Sequence, residues 1–266
     1  MSALPCALTI AGLDPSGGAG ITADLRGFAA AGAWGCAALA VLTVQSTAGL
    51  RSAHPVPKEQ LEAQVLELFR HQNLRAIKTG ALGTAEGVRT VVGLVEQKRE
   101  LPLVVDPVLV ATRAHDGARL LDQEGLVAMK ELCARATLVT PNVTEAEALT
   151  GLQIRTVQDA MQAAKQIVEL GARAAVVTGG HLEGDAVDAL ATRTQTFELS
   201  APRVSGSPLH GSGCTFASLV AGRLAVAAHP IDDEGLLDAV RWAKAKVTEW
   251  IEGARYVGDG LRVLGG

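Results

Sequence analysis

Aromatic side chains are scarce in this 266-residue chain, 3% of the total with a single Tyr and three Trp. A groove for single-stranded nucleic acid needs aromatic platforms along a basic track. Here 24 basic residues face 28 acidic ones, a net charge of −4, so nucleic acid is not an expected partner. Cysteine is sparse as well. Cys6, Cys36, Cys133 and Cys214 lie far apart with no Cys-x-x-Cys pair, which argues against a disulfide framework or a zinc site and suits a reducing compartment. Residues 1–5 carry no basic side chain and no signal-peptide plan. The expected location is the cytoplasm. Long apolar runs are missing too. The one long uncharged stretch, between Arg26 and Arg51, is broken by Gly27, Gly32 and Gly35 and ends in Gln45-Ser46-Thr47, whereas a membrane helix wants about 20 mostly apolar residues. No membrane contact is expected.

What is present is a globular composition, 48% hydrophobic and 20% charged, without the low hydrophobicity of a disordered chain. Short apolar bursts alternate with amphipathic stretches. The bursts predict strands over residues 6–10, 36–44, 76–79, 103–106, 138–140 and 174–178. Rich in Val, Leu, Ile and Ala with little alternation, they read as strands buried on both faces of a parallel sheet. Residues 189–194 and 196–199 read as an antiparallel addition at one edge. Helices are predicted over 21–31, 58–70, 85–98, 124–134, 144–149, 157–170, 214–228 and 235–252, with Thr156 and Asp159 forming a capping box. No linker or repeat divides the chain, so residues 1–266 read as a single doubly wound α/β domain. In such sheets ligands bind beyond the carboxyl ends of the strands.

The candidate residues follow those ends. Asp14-Pro15-Ser16-Gly17-Gly18-Ala19-Gly20 leads from the first strand into a helix, as a tight turn or as a backbone cradle for an anion. It has neither the GK[ST] of a Walker loop nor the spacing of a dinucleotide fingerprint. His210-Gly211-Ser212-Gly213-Cys214-Thr215 opens another helix. The amides of Gly211, Ser212 and Gly213 suit phosphate oxygens, and Cys214 in the first turn is expected to have a lowered pKa; the plainer reading is a buried helix-start cysteine. Asp106, Asn142 and Glu145 would form an oxygen cluster fit for Mg²⁺ if neighbouring strands bring them together, although Asn142 and Glu145 also spell an N-terminal cap. Gln45 closes a long buried strand. Its amide can pair with a ring nitrogen and an adjacent amine, or satisfy nearby backbone. His54, His71, His115, His181 and His229 are scattered and read as surface or loop residues. His210 shows no acidic partner in the sequence, which leaves a cysteine hydrolase without a supported base.

In order along the chain, Ala7-Leu8-Thr9-Ile10-Ala11-Gly12, the loop from Asp14 to Gly20, Ala23-Asp24-Leu25, Lys78-Thr79-Gly80, Asp106-Pro107-Val108, Thr140-Pro141-Asn142, Gly179-Gly180-His181 and the His210–Thr215 motif resemble the hydroxymethylpyrimidine/phosphomethylpyrimidine kinases of thiamine biosynthesis, vitamin kinases of the ribokinase superfamily. The resemblance implies a three-layer α/β/α ribokinase-like fold, a mostly parallel sheet with a small antiparallel edge, and ATP- and Mg²⁺-dependent phosphorylation of 4-amino-5-hydroxymethyl-2-methylpyrimidine and then of its monophosphate. It assigns Gln45, Gly12, Asp24 and Val108 to the substrate, Thr178 and Lys244 to the nucleotide, Asn142 and Glu145 to the metal, Gly211–Gly213 to the anion hole and Cys214 to the catalytic position. From there Asp106 is expected to reach the metal through water and Cys214 to act as general base. A homodimer is the family habit. The chain departs from the pattern at Ser46, at Ala81 where Met is common, at Thr178 where Lys is usual, and at Thr112-Arg113-Ala114, where Arg113 is expected to supply a cation. Pyridoxal kinases of the same superfamily are the nearest alternative, though one such group has a cysteine where this chain has Ala111. A vitamin-binding relative with weak turnover is another.

Overall fold

The computed structural model describes residues 3–109, 121–180, 185–206 and 209–265; Ala111, Arg113, His115 and His181 lie outside the described residues. In chain order the elements are β1 (Cys6–Leu13), α1 (Gly20–Ala30), β2 (Trp34–Ser46), β3 (Gly49–Pro55), α2 (Lys58–His71), β4 (Leu74–Thr79), α3 (Ala85–Val95) with a 3₁₀ turn at Glu96–Lys98, β5 (Leu103–Val105), α4 (Gln123–Cys133), β6 (Leu138–Val139), α5 (Val143–Thr150), α6 (Val157–Glu169), β7 (Ala174–Val177), β8 (Ala186–Thr192), β9 (Thr196–Ala201), β10 (Leu209–His210), α7 (Ser212–Val226), α8 (Asp233–Glu252) and β11 (Arg262–Val263).

Among the described residues nine strands form one sheet in the order β3-β2-β1-β4-β5-β6-β7-β8-β9. The run from β2 to β7 is parallel. The pairs β2–β3, β7–β8 and β8–β9 are antiparallel, so the single antiparallel edge expected from the sequence becomes two. Apolar side chains fill both faces. Leu61, Val65, Val91, Leu132, Leu149 and Ile167 of α2 to α6 cover one, and Phe28, Leu219, Leu224 and Val240 of α1, α7 and α8 cover the other. The three-layer α/β/α expectation is met. The capping box of Thr156 and Asp159 forms as read.

β2 corrects the picture of a long buried strand. Its register against β1 slips between Ala11 and Gly12, so Ala40 and Val41 are both buried and the alternation then changes phase. Beyond that slip Leu42 and Val44 are 47% and 52% exposed, and β2 continues as a ribbon with β3 out to Gln45 and Ser46. The order also fixes where a ligand belongs. β1 is flanked by β2 on one side and β4 on the other, so the chain reverses direction across the sheet there, and a crevice opens at the carboxyl ends of β1 and β4.

Candidate active site

At that crevice the two glycine-rich motifs meet. The Asp14 carboxylate folds its own loop by accepting from the Ser16 amide at 2.9 Å, the Ser16 hydroxyl at 2.8 Å and the Ala19 amide at 2.9 Å. It also accepts from Nε2 of His210 at 2.7 Å, joining the loop to the segment before α7. Burial pushes the Asp14 carboxyl up, but the bonds from His210 and Ser16 outweigh it and hold the group below its ordinary 3.8. The contact requires glycine on both sides. A Cβ on Gly18 would sit 2.4 Å from Cδ2 of His210, and one on Gly211, whose φ is +80°, would sit 1.9 Å from the Gly18 carbonyl. His210 therefore does have the acidic partner that sequence reading found missing, 196 residues away.

Gly211 is the N-cap of α7 and supplies no capping side chain. Ser212, Gly213 and Cys214 make up the first turn, where amide N–H groups have no intrahelical acceptor; the Thr215 amide is the first to bond back, to Gly211. Space around Gly213 is open. Cys214 is half-buried, and its thiol faces charge rather than packed aliphatics. Burial and the neighbouring Asp106 carboxylate push the thiol well above its ordinary 9.0, although Lys78 pulls the other way. The lowering expected from the helix start is thus overturned, because a desolvated thiol beside an anion resists ionisation more than the helix field favours it.

Behind the thiol lies a cluster that spacing alone does not single out. Lys78 in β4 and Asp24 in α1 are both 0% exposed. Nζ of Lys78 donates to both Asp24 oxygens at 2.9 and 3.0 Å, and Thr9 of β1 adds a 2.6 Å bond to the same carboxylate. Burial alone would lower the Lys78 pKa; Asp24, Cys214 and Asp106 raise it above its ordinary value instead. Burial pushes Asp24 and Asp106 up, with Lys78 partly offsetting both. Oδ2 of Asp106 is 3.8 Å from Nζ of Lys78 and, among the described residues, has no hydrogen-bond partner. Asp24, expected in the substrate pocket, is sealed behind it as the counter-ion of Lys78. The available signal was a lone charge inside the apolar run Ala76-Ile77-Lys78-Thr79.

The remaining candidates fall at neighbouring strand ends. Val108 is half-buried with its amide bonded to the Asp106 carbonyl at 2.8 Å, and Gly12 lies against Val41 and Ala81. Asn142 and Glu145 form a complete capping box at the start of α5, with 2.9 Å bonds in both directions. Burial and the charge of Asp106 push Glu145 up to about 8, despite the bond from Asn142, so Asp106 and Glu145 do come within electrostatic reach. Among the described residues no three His, Cys, Asp or Glu side chains form a metal cage. Asn142 bridges to Thr178 across the ends of β6 and β7, and the Thr178 amide bonds the Pro141 carbonyl at 2.9 Å. Lys244 of α8 does not present a free ammonium. It is buried, 2.8 Å from Asp188 and 2.8 Å from the Ala186 carbonyl, while Asp188 accepts from the Gly179 amide at 3.0 Å.

Gln45 stands half-buried near His210, its amide nitrogen 3.4 Å from Nε2. The crevice thus joins an amide able to read a ring edge, a thiol beside acids, and a helix start with open amides. That is equipment for moving a charged group onto a small polar acceptor.

Known proteins share this arrangement of elements. A family model described as phosphomethylpyrimidine kinase matches residues 14–264. A hydroxymethylpyrimidine/phosphomethylpyrimidine kinase of Aquifex aeolicus is 34% identical over 260 residues, covering 97% of this chain and 98% of that protein. The crystal structure of a phosphomethylpyrimidine kinase from Clostridium difficile superposes with a TM-score of 0.77 at 32% identity, covering 92% of this chain and 99% of that one. A pyridoxal kinase from Staphylococcus aureus, solved with AMP-PCP and pyridoxal, superposes with a TM-score of 0.86 at 30% identity, covering 99% and 94%. The fold is ribokinase-like, and the chain belongs to the phosphomethylpyrimidine kinase family.

Proposed function

We propose that this enzyme uses ATP and Mg²⁺ to phosphorylate the hydroxymethyl group of 4-amino-5-hydroxymethyl-2-methylpyrimidine and then the resulting monophosphate. The observation that carries the reading is Cys214, in the uncapped first turn of α7 beside Asp106 and Lys78, at the same crevice as Gln45. Gln45 reads the amine and ring nitrogen of the pyrimidine, with Gly12 and Val108 beside it. The amides from Gly211 to Gly213 receive the charge that grows on the transferred phosphoryl group. Cys214 accepts the proton that leaves the attacking hydroxyl. Its thiol rests protonated, so this role requires its own proton to pass first to the neighbouring Asp106 carboxylate, and Lys78 is the cation that favours the thiolate.

Mg²⁺ commonly keeps waters and takes only one or two carboxylates together with substrate phosphates, so a three-carboxylate cage is not needed. Oδ2 of Asp106, which among the described residues has no hydrogen-bond partner, and the raised Glu145 offer oxygens that a cation would relieve. Asp106, Asn142 and Glu145 would hold the ion, which when bound neutralises phosphate charge. Thr178 flanks the nucleotide, and Lys244 serves it through Asp188, which fixes the Gly179 amide.

On the same reading residues 1–266 are one catalytic domain, the partners are small molecules, the location is the cytoplasm and the assembly is a homodimer. No helix among the described residues is long and apolar enough to cross a membrane. A second reading, phosphorylation of pyridoxal, is favoured by the higher TM-score of the pyridoxal kinase relative. A coupled ATP-consumption assay against the pyrimidine alcohol, its monophosphate and pyridoxal separates the two. Turnover of both pyrimidines in preference to pyridoxal is expected. Preference for pyridoxal establishes the second reading, and binding without turnover of any of the three refutes both.

A further inference from the structure

Gln45 has two fixed neighbours at the end of β2. Its amide nitrogen lies 3.4 Å from Nε2 of His210 and its amide oxygen 3.4 Å from Oγ1 of Thr43. A half-turn of the amide exchanges these atoms without changing its shape, and the surrounding donors decide which way it stands. On one side the Asp14 carboxylate already accepts from the amides of Ser16 and Ala19 and from the Ser16 hydroxyl. Nε2 of His210, 2.7 Å from that ring of accepted bonds, must therefore carry a hydrogen. A ring nitrogen bearing hydrogen has no lone pair to offer an NH₂ group. On the other side the single hydroxyl hydrogen of Thr43 is committed to the Leu13 carbonyl at 2.6 Å, leaving only lone pairs toward Gln45. The Nε2 hydrogen itself points to Asp14, so His210 only disfavours an NH₂ group set against it, while Thr43 can accept from one. Both therefore favour the turned amide, with oxygen on the His210 side and nitrogen facing Thr43. Thr43, Asp14 and His210 are all buried.

We propose that Asp14, His210 and Thr43 are positioning residues that lock the Gln45 amide in this orientation, and that the lock selects a six-membered nitrogen ring with an exocyclic amine beside a bare ring nitrogen over the same ring with an oxo group beside N–H. The inference rests on the reading of Gln45 as the residue that meets the substrate ring. The amide keeps one lone pair and one N–H for the ligand, in a fixed order. An amine and its adjacent ring nitrogen answer in the complementary order. An oxo group and N–H answer in the reverse order, and are accommodated only if the amide turns to set its NH₂ against the His210 N–H and its oxygen against Thr43 lone pairs. The ring itself does not turn over, because its hydroxymethyl arm has to reach Cys214.

Neutron diffraction from deuterium-exchanged crystals of the ligand-free full chain tests the lock whatever the substrate. Deuterons on the amide atom facing Thr43 support it, and deuterons on the atom facing His210 overturn it. The selectivity is tested by the ratio of kcat/KM for the 4-amino pyrimidine alcohol to that for its 4-oxo counterpart. The wild type is expected to favour the amine by roughly 10- to 100-fold, and Thr43→Val and His210→Phe each to lower that ratio about tenfold, through KM more than kcat, with Thr43→Ser restoring it. An unchanged ratio in folded Thr43→Val and His210→Phe overturns the selectivity. A wild type that turns over neither pyrimidine overturns it together with the proposed function, while the neutron result still decides the lock.

Discussion

Two buried lysine–aspartate pairs stand near the carboxyl edge of the sheet, and they are built differently. Lys244 and Asp188 form a closed unit: the ammonium meets one carboxylate and one carbonyl, and the second carboxylate oxygen takes the Gly179 amide. Lys78 and Asp24 are bonded at least as fully to each other, yet a second carboxylate, Asp106, stands 3.8 Å from the same ammonium with an oxygen that has no hydrogen-bond partner among the described residues. One cation there serves two carboxylates and a thiol. The closed pair ties α8 to β8 and holds a turn. The open one leaves a single ammonium shared between two carboxylates and a thiol, and strongly perturbed buried groups of that kind cluster at sites of chemistry.

Lys78→Met breaks the comparison hardest. It leaves two carboxylates buried without a counter-charge, and urea denaturation should show a loss of about 3–5 kcal/mol, with activity abolished. Lys244→Met strands a single carboxylate that keeps its Gly179 bond, so a loss near the bottom of that range, about 3 kcal/mol, is expected. The difference sharpens in double variants. Lys244→Met with Asp188→Leu should recover most of the stability, since apolar replacement of a buried pair is often neutral, whereas Lys78→Met with Asp24→Leu should not, because Asp106 stays behind. Equal recovery in both would erase the distinction drawn between them.

A smaller effect is expected on the nucleotide side. Asn142→Ala removes an N-cap worth about 1 kcal/mol, and on the proposed reading it also raises the MgATP concentration needed for half-maximal rate. Loss of stability alone would reduce Asn142 to its capping role. Smallest is a change of slope with acid. Asp14 has a folded pKa below its ordinary 3.8, so its contribution is present above 3.8 and is lost as pH falls through the lowered value. Thermal melts of Asp14→Asn should be flatter than wild type across that acid limb, and parallel curves would contradict the assignment.

The strand ends and their motifs were legible in the sequence because apolar runs interrupted by glycine and Asn142-type caps follow directly from local chemistry. β3 was not. Gly49–Pro55 carries Arg51, Ser52, His54 and Pro55 with no apolar run, and it forms because β2 outruns the core and offers it an edge. Nor was the Asp14–His210 bond, whose partners meet only when the β1 loop packs on the start of α7. The direction of the Cys214 shift is not legible in the sequence for a related reason. Sequence shows the helix start that lowers a thiol pKa, but the opposing carboxylate of Asp106 comes from the end of another strand.

The role of Cys214 is tested most directly by measuring both phosphorylation steps in Cys214→Ala. An alcohol must lose a proton as it attacks, while a phosphate monoester already presents an anionic oxygen. The expected result is a loss of about 10²–10⁴-fold in the first step and a markedly smaller loss in the second. Equal losses in the two steps, or wild-type turnover of the alcohol, would contradict the thiol's part as proton acceptor.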